Sequence, residues 1–164
     1  MIAETLATFV TGIFAGGALY INLVEQPARL RCGTATALTQ WRPSYQRATL
    51  MQAPLAAIGF LLALWSWWSG SGWAWLLGGV LIFAVIPFTL IVIRPTNNLL
   101  MSDQIEISSP EAAHLLRRWG RLHAVRSALS LLAFLVFLFA LGRGPGSFGT
   151  WLNQAINSSL LLLG

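Results

Sequence analysis

The stretch 73–93, WAWLLGGVLIFAVIPFTLIVI, decides the fold, because 21 consecutive residues carry no charged side chain. An α-helix rises 1.5 Å per residue, so about 20 apolar residues cross the hydrocarbon core of a bilayer. The sequence therefore predicts a transmembrane helix over about 73–93.

Three more stretches have the length and apolarity of a membrane span, at about 3–24, 50–69 and 122–142. Of the 164 residues, 56% are hydrophobic and 9% are charged, which excludes a water-soluble globule and a disordered chain. Only Ser69–Gly72 separates the second span from the third, so these two form a tight hairpin. We predict an all-α, integral membrane, up-down four-helix bundle over 1–144, and a short amphipathic interfacial helix on the outer surface over 145–164.

The basic residues orient the bundle. All ten are arginines, and eight of them lie in 29–47 and 94–121, after the first and third spans. The positive-inside rule then puts these connections in the cytoplasm and both termini outside, and we expect a bacterial inner membrane. Arginines that flank apolar spans do not form the solvated face that nucleic acid needs. The expected partners are therefore the membrane and a hydrophobic aromatic small molecule or lipid, with no nucleic acid.

Small residues mark the packing faces of the spans. Gly12 and Gly16 form a GxxxG pattern, which we interpret as packing within the chain, with a homo-oligomer contact as the alternative. The second span has a stripe of small residues that begins after Gln52. At the start of the fourth helix, Ser108 and Glu111 have the spacing of a capping box.

Polar residues cluster where four span ends meet. In an up-down bundle the end of span one, the start of span two, the end of span three and the start of span four lie at one level. The polar side chains at these ends are Asn22, Glu25, Gln52, Asn97, Asn98, His123, Arg126 and Ser127. They predict a polar pocket on the cytoplasmic side. We predict an ion pair between Glu25 and Arg126; the alternative is that Arg126 extends to lipid phosphate.

His123 is the candidate general base, because an imidazole accepts a proton near neutral pH. The alternative is an interfacial histidine that hydrogen-bonds a carbonyl or Asn97. His114 lies nine residues away on the opposite side of the helix, and Cys32 is the only cysteine, so we predict no metal site. A haem with a single histidine ligand stays open.

Four segments resemble the anthrone oxygenases, a family of small four-span membrane proteins: Glu25-Gln26-Pro27, 41–45, 94–100 and 119–126. The resemblance covers about 5–142. It implies an oxygenase that converts polyketide anthrones to anthraquinones without a bound metal or flavin. It also suggests a role for His123 as base, for Arg126, Asn97 and Gln52 as stabilisers of a developing enolate, and for Tyr45 and Trp119 as stacking surfaces.

Two other functional classes remain open at this stage. In the first, the same polar cluster only locks the bundle of a non-catalytic membrane protein that binds a small molecule or lipid or assists assembly. In the second, the chain is a haem or quinone redox protein. A shared fold does not by itself decide between such functions.

Overall fold

The computed structural model describes residues 1–143, so the tail predicted over 145–164 lies outside the described residues. Four long helices follow one another: α1 (Ile2–Arg31), α2 (Thr34–Ser71), α3 (Trp73–Met101) and α4 (Pro110–Arg143). Residues 1–143 contain no strand, and all four helices are long and apolar enough to cross a membrane. The all-α bundle is confirmed, and each predicted span lies inside one helix.

The helices pack as a four-membered ring in which each contacts two main neighbours. Helix α1 packs on α2 and α4, and α3 packs on the same two helices from the other side. The short connections at 32–33, 72 and 102–109 make consecutive helices antiparallel. The arginine-rich ends therefore lie together, opposite the hairpin between α2 and α3.

Small residues allow this close approach. A side chain at Gly59 of α2 would place its Cβ 2.7 Å from Thr11 Oγ1 of α1, and one at Gly12 would contact Phe134 of α4. Gly16 has nothing within 4 Å of the position of a Cβ, so only the first glycine of the GxxxG pattern is packed within the chain. The small-residue stripe of α2, from Ala56 to Ser66, is buried as its spacing predicts.

Two π-helical turns, Ile21–Glu25 in α1 and Thr89–Ile93 in α3, lie at the arginine-rich end. Each precedes a proline, Pro27 or Pro95, by two residues. Proline has no N–H to donate and collides with the carbonyl four residues earlier, and a wider turn accommodates both effects. A π-helical hydrogen bond spans one residue more than an α-helical one. The side chains that follow the turn are therefore rotated relative to their positions in a regular α-helix.

Helices α2 and α3 extend well beyond their predicted spans. Residues 34–49 and 94–101 are helical and continue past the apolar segments at the arginine-rich end. The expected capping box is wrong: Ser109 Oγ accepts the N–H of Ala112, whereas Ser108 hydrogen-bonds Glu106. Ser109 is the residue directly before Pro110, so it is the one positioned to cap α4.

Candidate active site

A small chamber lies between all four helices at the arginine-rich end. Its lining includes seven of the residues that the sequence singled out: Glu25, Tyr45, Gln52, Asn97, Trp119, His123 and Arg126. Its volume of about 30 Å³ holds about one water molecule. The span ends therefore meet around a cavity, as the up-down topology requires.

The side chain of Asn22 orients His123. Asn22 Nδ2 donates to the backbone oxygen of Gly120 at 3.0 Å, which turns Oδ1 towards His123 Nδ1 at 2.6 Å. Because an amide oxygen only accepts, Nδ1 carries the proton and Nε2 has its lone pair available. Ser127 Oγ also lies 2.5 Å from Asn22 Oδ1. Asn22 and Ser127 thus stand behind the imidazole and do not line the chamber.

The predicted ion pair between Glu25 and Arg126 is wrong. Arg126 Nη2 donates to Gln52 Oε1 at 2.5 Å, and its guanidinium lies 5.0 Å from the centre of the Phe14 ring. Both partners are neutral, so no carboxylate among residues 1–143 compensates the positive charge of Arg126. The alternative, in which Arg126 extends to lipid phosphate, is also not observed, because its side chain turns inward to Gln52.

Glu25 instead pairs with Arg29, one turn further along α1, at 2.5 Å. The same carboxylate oxygen accepts hydrogen bonds from Gln40 Nε2 and Ser44 Oγ of α2. The pair forms because Arg29 lies on the same helix at i+4 spacing, whereas Arg126 lies on α4. Of the three charged side chains that line the chamber, Glu25 and Arg29 neutralise each other, and Arg126 leaves one positive charge.

Three aromatic rings form the wall on the side of the connections. Trp41 stacks on Tyr45 with centroids 4.9 Å apart and meets the edge of Trp119 at 5.5 Å. Trp119 in turn contacts the His123 ring at 4.8 Å. The two rings that we expected to stack on a ligand, Tyr45 and Trp119, therefore each contact Trp41, and both still line the chamber.

A second, larger pocket adjoins the chamber between α2 and α3. It has a volume of about 220 Å³ and shares Tyr45, Thr49, Gln52, Asn97 and Arg126 with the chamber. Its other walls are mostly apolar and include Phe14, Ala56 and Val85. Asn98, which we expected beside Asn97, lines only this outer pocket. The two cavities are two compartments of one site with a shared polar partition.

Several buried polar atoms at the partition have no hydrogen-bond partner in the described part of the chain. They are Gln52 Nε2, Asn97 Oδ1 and Arg126 Nε. Leaving such groups unpaired costs free energy, so the two N–H groups favour an acceptor oxygen and Asn97 Oδ1 favours a hydroxyl or water. Because Asn97 Nδ2 already donates to Tyr45, Asn97 presents an acceptor and does not fit the enolate-stabilising role expected for it. The chamber beside His123 is too small for a haem, so the geometry does not favour a haem bound through that histidine.

Among the polar and aromatic residues of the chamber, the sequence analysis missed four: Arg29, Trp41, Ser44 and Thr49. All except Arg29 lie in residues 34–49, a polar segment that had been interpreted as a connection between spans. The available signal was the spacing of Trp41, Tyr45, Thr49 and Gln52, which places them along one face of a helix.

Comparison with known proteins gives a consistent answer. The profile of the family described as Anthrone oxygenase matches residues 41–136. Anthrone oxygenase tpcL of Aspergillus fumigatus is 30% identical over 140 residues, which cover 79% of this chain and 87% of the relative. Anthrone oxygenase ptaC of Pestalotiopsis fici is 31% identical over 113 residues, or 60% of this chain and 80% of the relative. No solved structure matches this one significantly.

The relatives also bear on location and activity. Those named here are fungal proteins, so they give no support to the expected bacterial inner membrane. Membrane residence itself rests on the four apolar helices. A family profile that covers more than half of the chain, together with relatives that match most of it, shows an oxygenase-like enzyme. The chain belongs to the anthrone oxygenase family.

Proposed function

We propose that this enzyme oxygenates a hydrophobic aromatic substrate of the anthrone or phenol type at the two-compartment site, with His123 as general base. The observation that carries the proposal is the oriented imidazole of His123 in the same chamber as the uncompensated guanidinium of Arg126. The names of the relatives supply the substrate class. The arginine bias supports a position of the site on the cytoplasmic side.

The outer pocket holds the substrate rings. Cavities of roughly 150 Å³ bind a benzene ring, so an open pocket of about 220 Å³ with apolar walls suits a larger flat aromatic. The chamber is far smaller and suits only a molecule the size of water or dioxygen. The reactive edge of the substrate therefore lies at the partition, with its oxygen near Arg126.

His123 begins the reaction by removing a proton from the acidic C–H or O–H of the substrate. The proton reaches Nε2 through the chamber, and Asn22 holds the opposite edge of the ring. The electron pair left behind delocalises onto the substrate oxygen. The guanidinium of Arg126 then stabilises that oxyanion, since no carboxylate among residues 1–143 forms an ion pair with it.

The electron-rich anion next reacts with dioxygen. A carbon–oxygen bond forms, the substrate is oxidised, and dioxygen is reduced to a hydroperoxide that takes up one proton. Loss of the remaining hydrogen of that carbon as a proton, with cleavage of the O–O bond, releases water and leaves a ketone. One anthrone and one dioxygen thus give one anthraquinone and one water, and no step requires a tightly bound cofactor.

The test is turnover of anthrone by purified His123→Ala protein, with oxygen uptake followed in parallel. A lost general base lowers the rate by about 10²–10⁴-fold. His114→Ala is the matched control, because His114 is exposed on the same helix and contacts neither cavity of the site. Autoxidation in empty membranes is subtracted. Unchanged turnover by His123→Ala would remove the base from the mechanism.

A further inference from the structure

The outer pocket opens through the side of the bundle. Its mouth consists of exposed residues from two helices, Thr49 and Ala53 of α2 and Leu90, Arg94 and Asn98 of α3. The deeper walls are buried, from Ala56 and Val85 to Gln52 and Asn97. The pocket therefore runs from the lateral surface of the protein to the partition that borders the chamber.

The end of the apolar stretch of α3 indicates that the mouth lies at the boundary between lipid chains and headgroups. The apolar stretch of α3 ends at Ile93, so Leu90 is on the hydrocarbon side and Arg94 is on the headgroup side. Ala53 on the facing helix has a small side chain, which leaves the gap open between α2 and α3. A molecule dissolved in the inner leaflet reaches this opening without crossing water.

The gap between α2 and α3 is cross-linked at its aqueous end. Arg42 of α2 donates to the backbone oxygens of Leu100 and Ser102 at 3.0 and 2.7 Å, which ties α2 to the end of α3. Below this contact, Asn97 Nδ2 donates to the Tyr45 hydroxyl at 3.0 Å and closes the inner end of the same gap. The membrane side of the gap carries no such cross-link among residues 1–143.

We propose that this opening is a lateral entrance through which a flat, apolar ring system enters from the inner leaflet, with an acidic oxygen on its outer edge placed next to Arg94. This inference takes its substrate class from the proposed function. It adds the route by which the substrate enters and the polar character of the substrate edge that faces the headgroups. In this arrangement the reactive edge reaches the partition near Arg126. The opposite edge stays at headgroup level, where Arg94 and Asn98 contact it.

The experiment measures ligand binding separately from turnover, with the protein in lipid nanodiscs. The probes are anthraquinone and anthraquinone-2-carboxylate, detected by quenching of Trp fluorescence and corrected with empty nanodiscs. Ala53→Phe and Leu90→Phe narrow the mouth from its two walls, and neither position is buried. Ala128→Phe is the matched control, an exposed alanine of α4 that lines neither compartment.

We expect both mouth variants to weaken binding of both probes by about tenfold or more, since the added ring occupies space that the bound probe needs. The control should remain within twofold. Arg94→Gln should weaken only the carboxylate probe, by about two- to fivefold, as for an exposed ion pair. Wild-type affinity in both mouth variants, or no binding of either probe to the wild-type protein, would overturn the entrance.

Failure of the proposed function gives a different result from failure of the entrance. If the wild-type protein binds the probes and the mouth variants do not, but anthrone is not consumed, then the entrance stands and the oxygenase mechanism fails. If anthrone is consumed equally by the wild-type protein and by Ala53→Phe at limiting substrate, then the mechanism stands and the entrance fails.

Discussion

Replacement of Arg126 tests whether its positive charge serves catalysis or only stabilises the bundle. Arg126→Met keeps a long side chain of similar reach and removes the charge. The variant loses the hydrogen bond to Gln52 Oε1 and the contact with the Phe14 ring. If Arg126 takes part in the reaction, its replacement should lower turnover by a large factor and change the free energy of unfolding comparatively little.

The structure sets the size of the stability change. Loss of a hydrogen bond to a charged group costs about 1.5–3 kcal/mol, and loss of the cation–π contact costs up to about 2 kcal/mol. Removing a guanidinium from a membrane span recovers up to roughly 3 kcal/mol. These terms oppose each other, and at the middle of each range they leave a loss of about 2 kcal/mol in the free energy of unfolding. Turnover should fall by about 10²–10³-fold, as for a lost oxyanion donor.

The assay pairs anthrone turnover with unfolding by denaturing detergent, both in the same lipid background. Arg29→Met is the control for a structural cation. It leaves Glu25 without its ion-pair partner and should cost about 3 kcal/mol, at the lower end for a broken buried pair because Glu25 is 21% exposed. If Arg126→Met is the more destabilising of the two and retains its turnover once folded, then Arg126 is a structural lock.

Two further predictions follow from contacts on α1 and α2. Asn22→Leu removes the acceptor of His123 Nδ1 without touching either compartment, so steady-state kinetics should show kcat reduced by about 10- to 100-fold with KM unchanged; a change in KM alone would contradict the positioning role. Gly59→Val should lower the free energy of unfolding by about 1–3 kcal/mol, because its Cβ would lie 2.7 Å from Thr11 Oγ1. Gly16→Val, which meets nothing within 4 Å, should be neutral in the same titration; equal effects would refute the packing argument.

The fold was predictable because the bilayer imposes a length. Any stretch such as 73–93 satisfies the requirement for about 20 apolar residues, and short connections then force an up-down order. The level of the site followed from that order. Once four span ends share one level, the polar residues near them, from Asn22 to His123, have few places to go other than a common cavity.

Which side chains contact one another within the site was less predictable than where the site lies in the bundle. A regular α-helix had been assumed for α1, but the π-helical turn Ile21–Glu25 rotates Glu25 relative to Asn22. Residues 34–49 look like a connection because they are polar and contain Pro43, yet they continue α2 and bring Trp41 into the site. The periodicity of a single segment shows neither where a helix contains a π-helical turn nor how far it continues past the membrane span.

The two arginines that line the chamber differ in whether an acidic residue lies within reach on the same helix. Arg29 finds Glu25 one turn away on its own helix, so that pair needs no other part of the bundle. Arg126 has to find its partners across the bundle, and it meets an amide and an aromatic ring. Stability alone gives little reason for a cation at this position, because the cost of an unmatched charge in a span offsets much of what its contacts contribute. An unmatched cation beside a cavity is, however, what a site that stabilises developing negative charge requires, since a resident carboxylate would compete with the substrate anion.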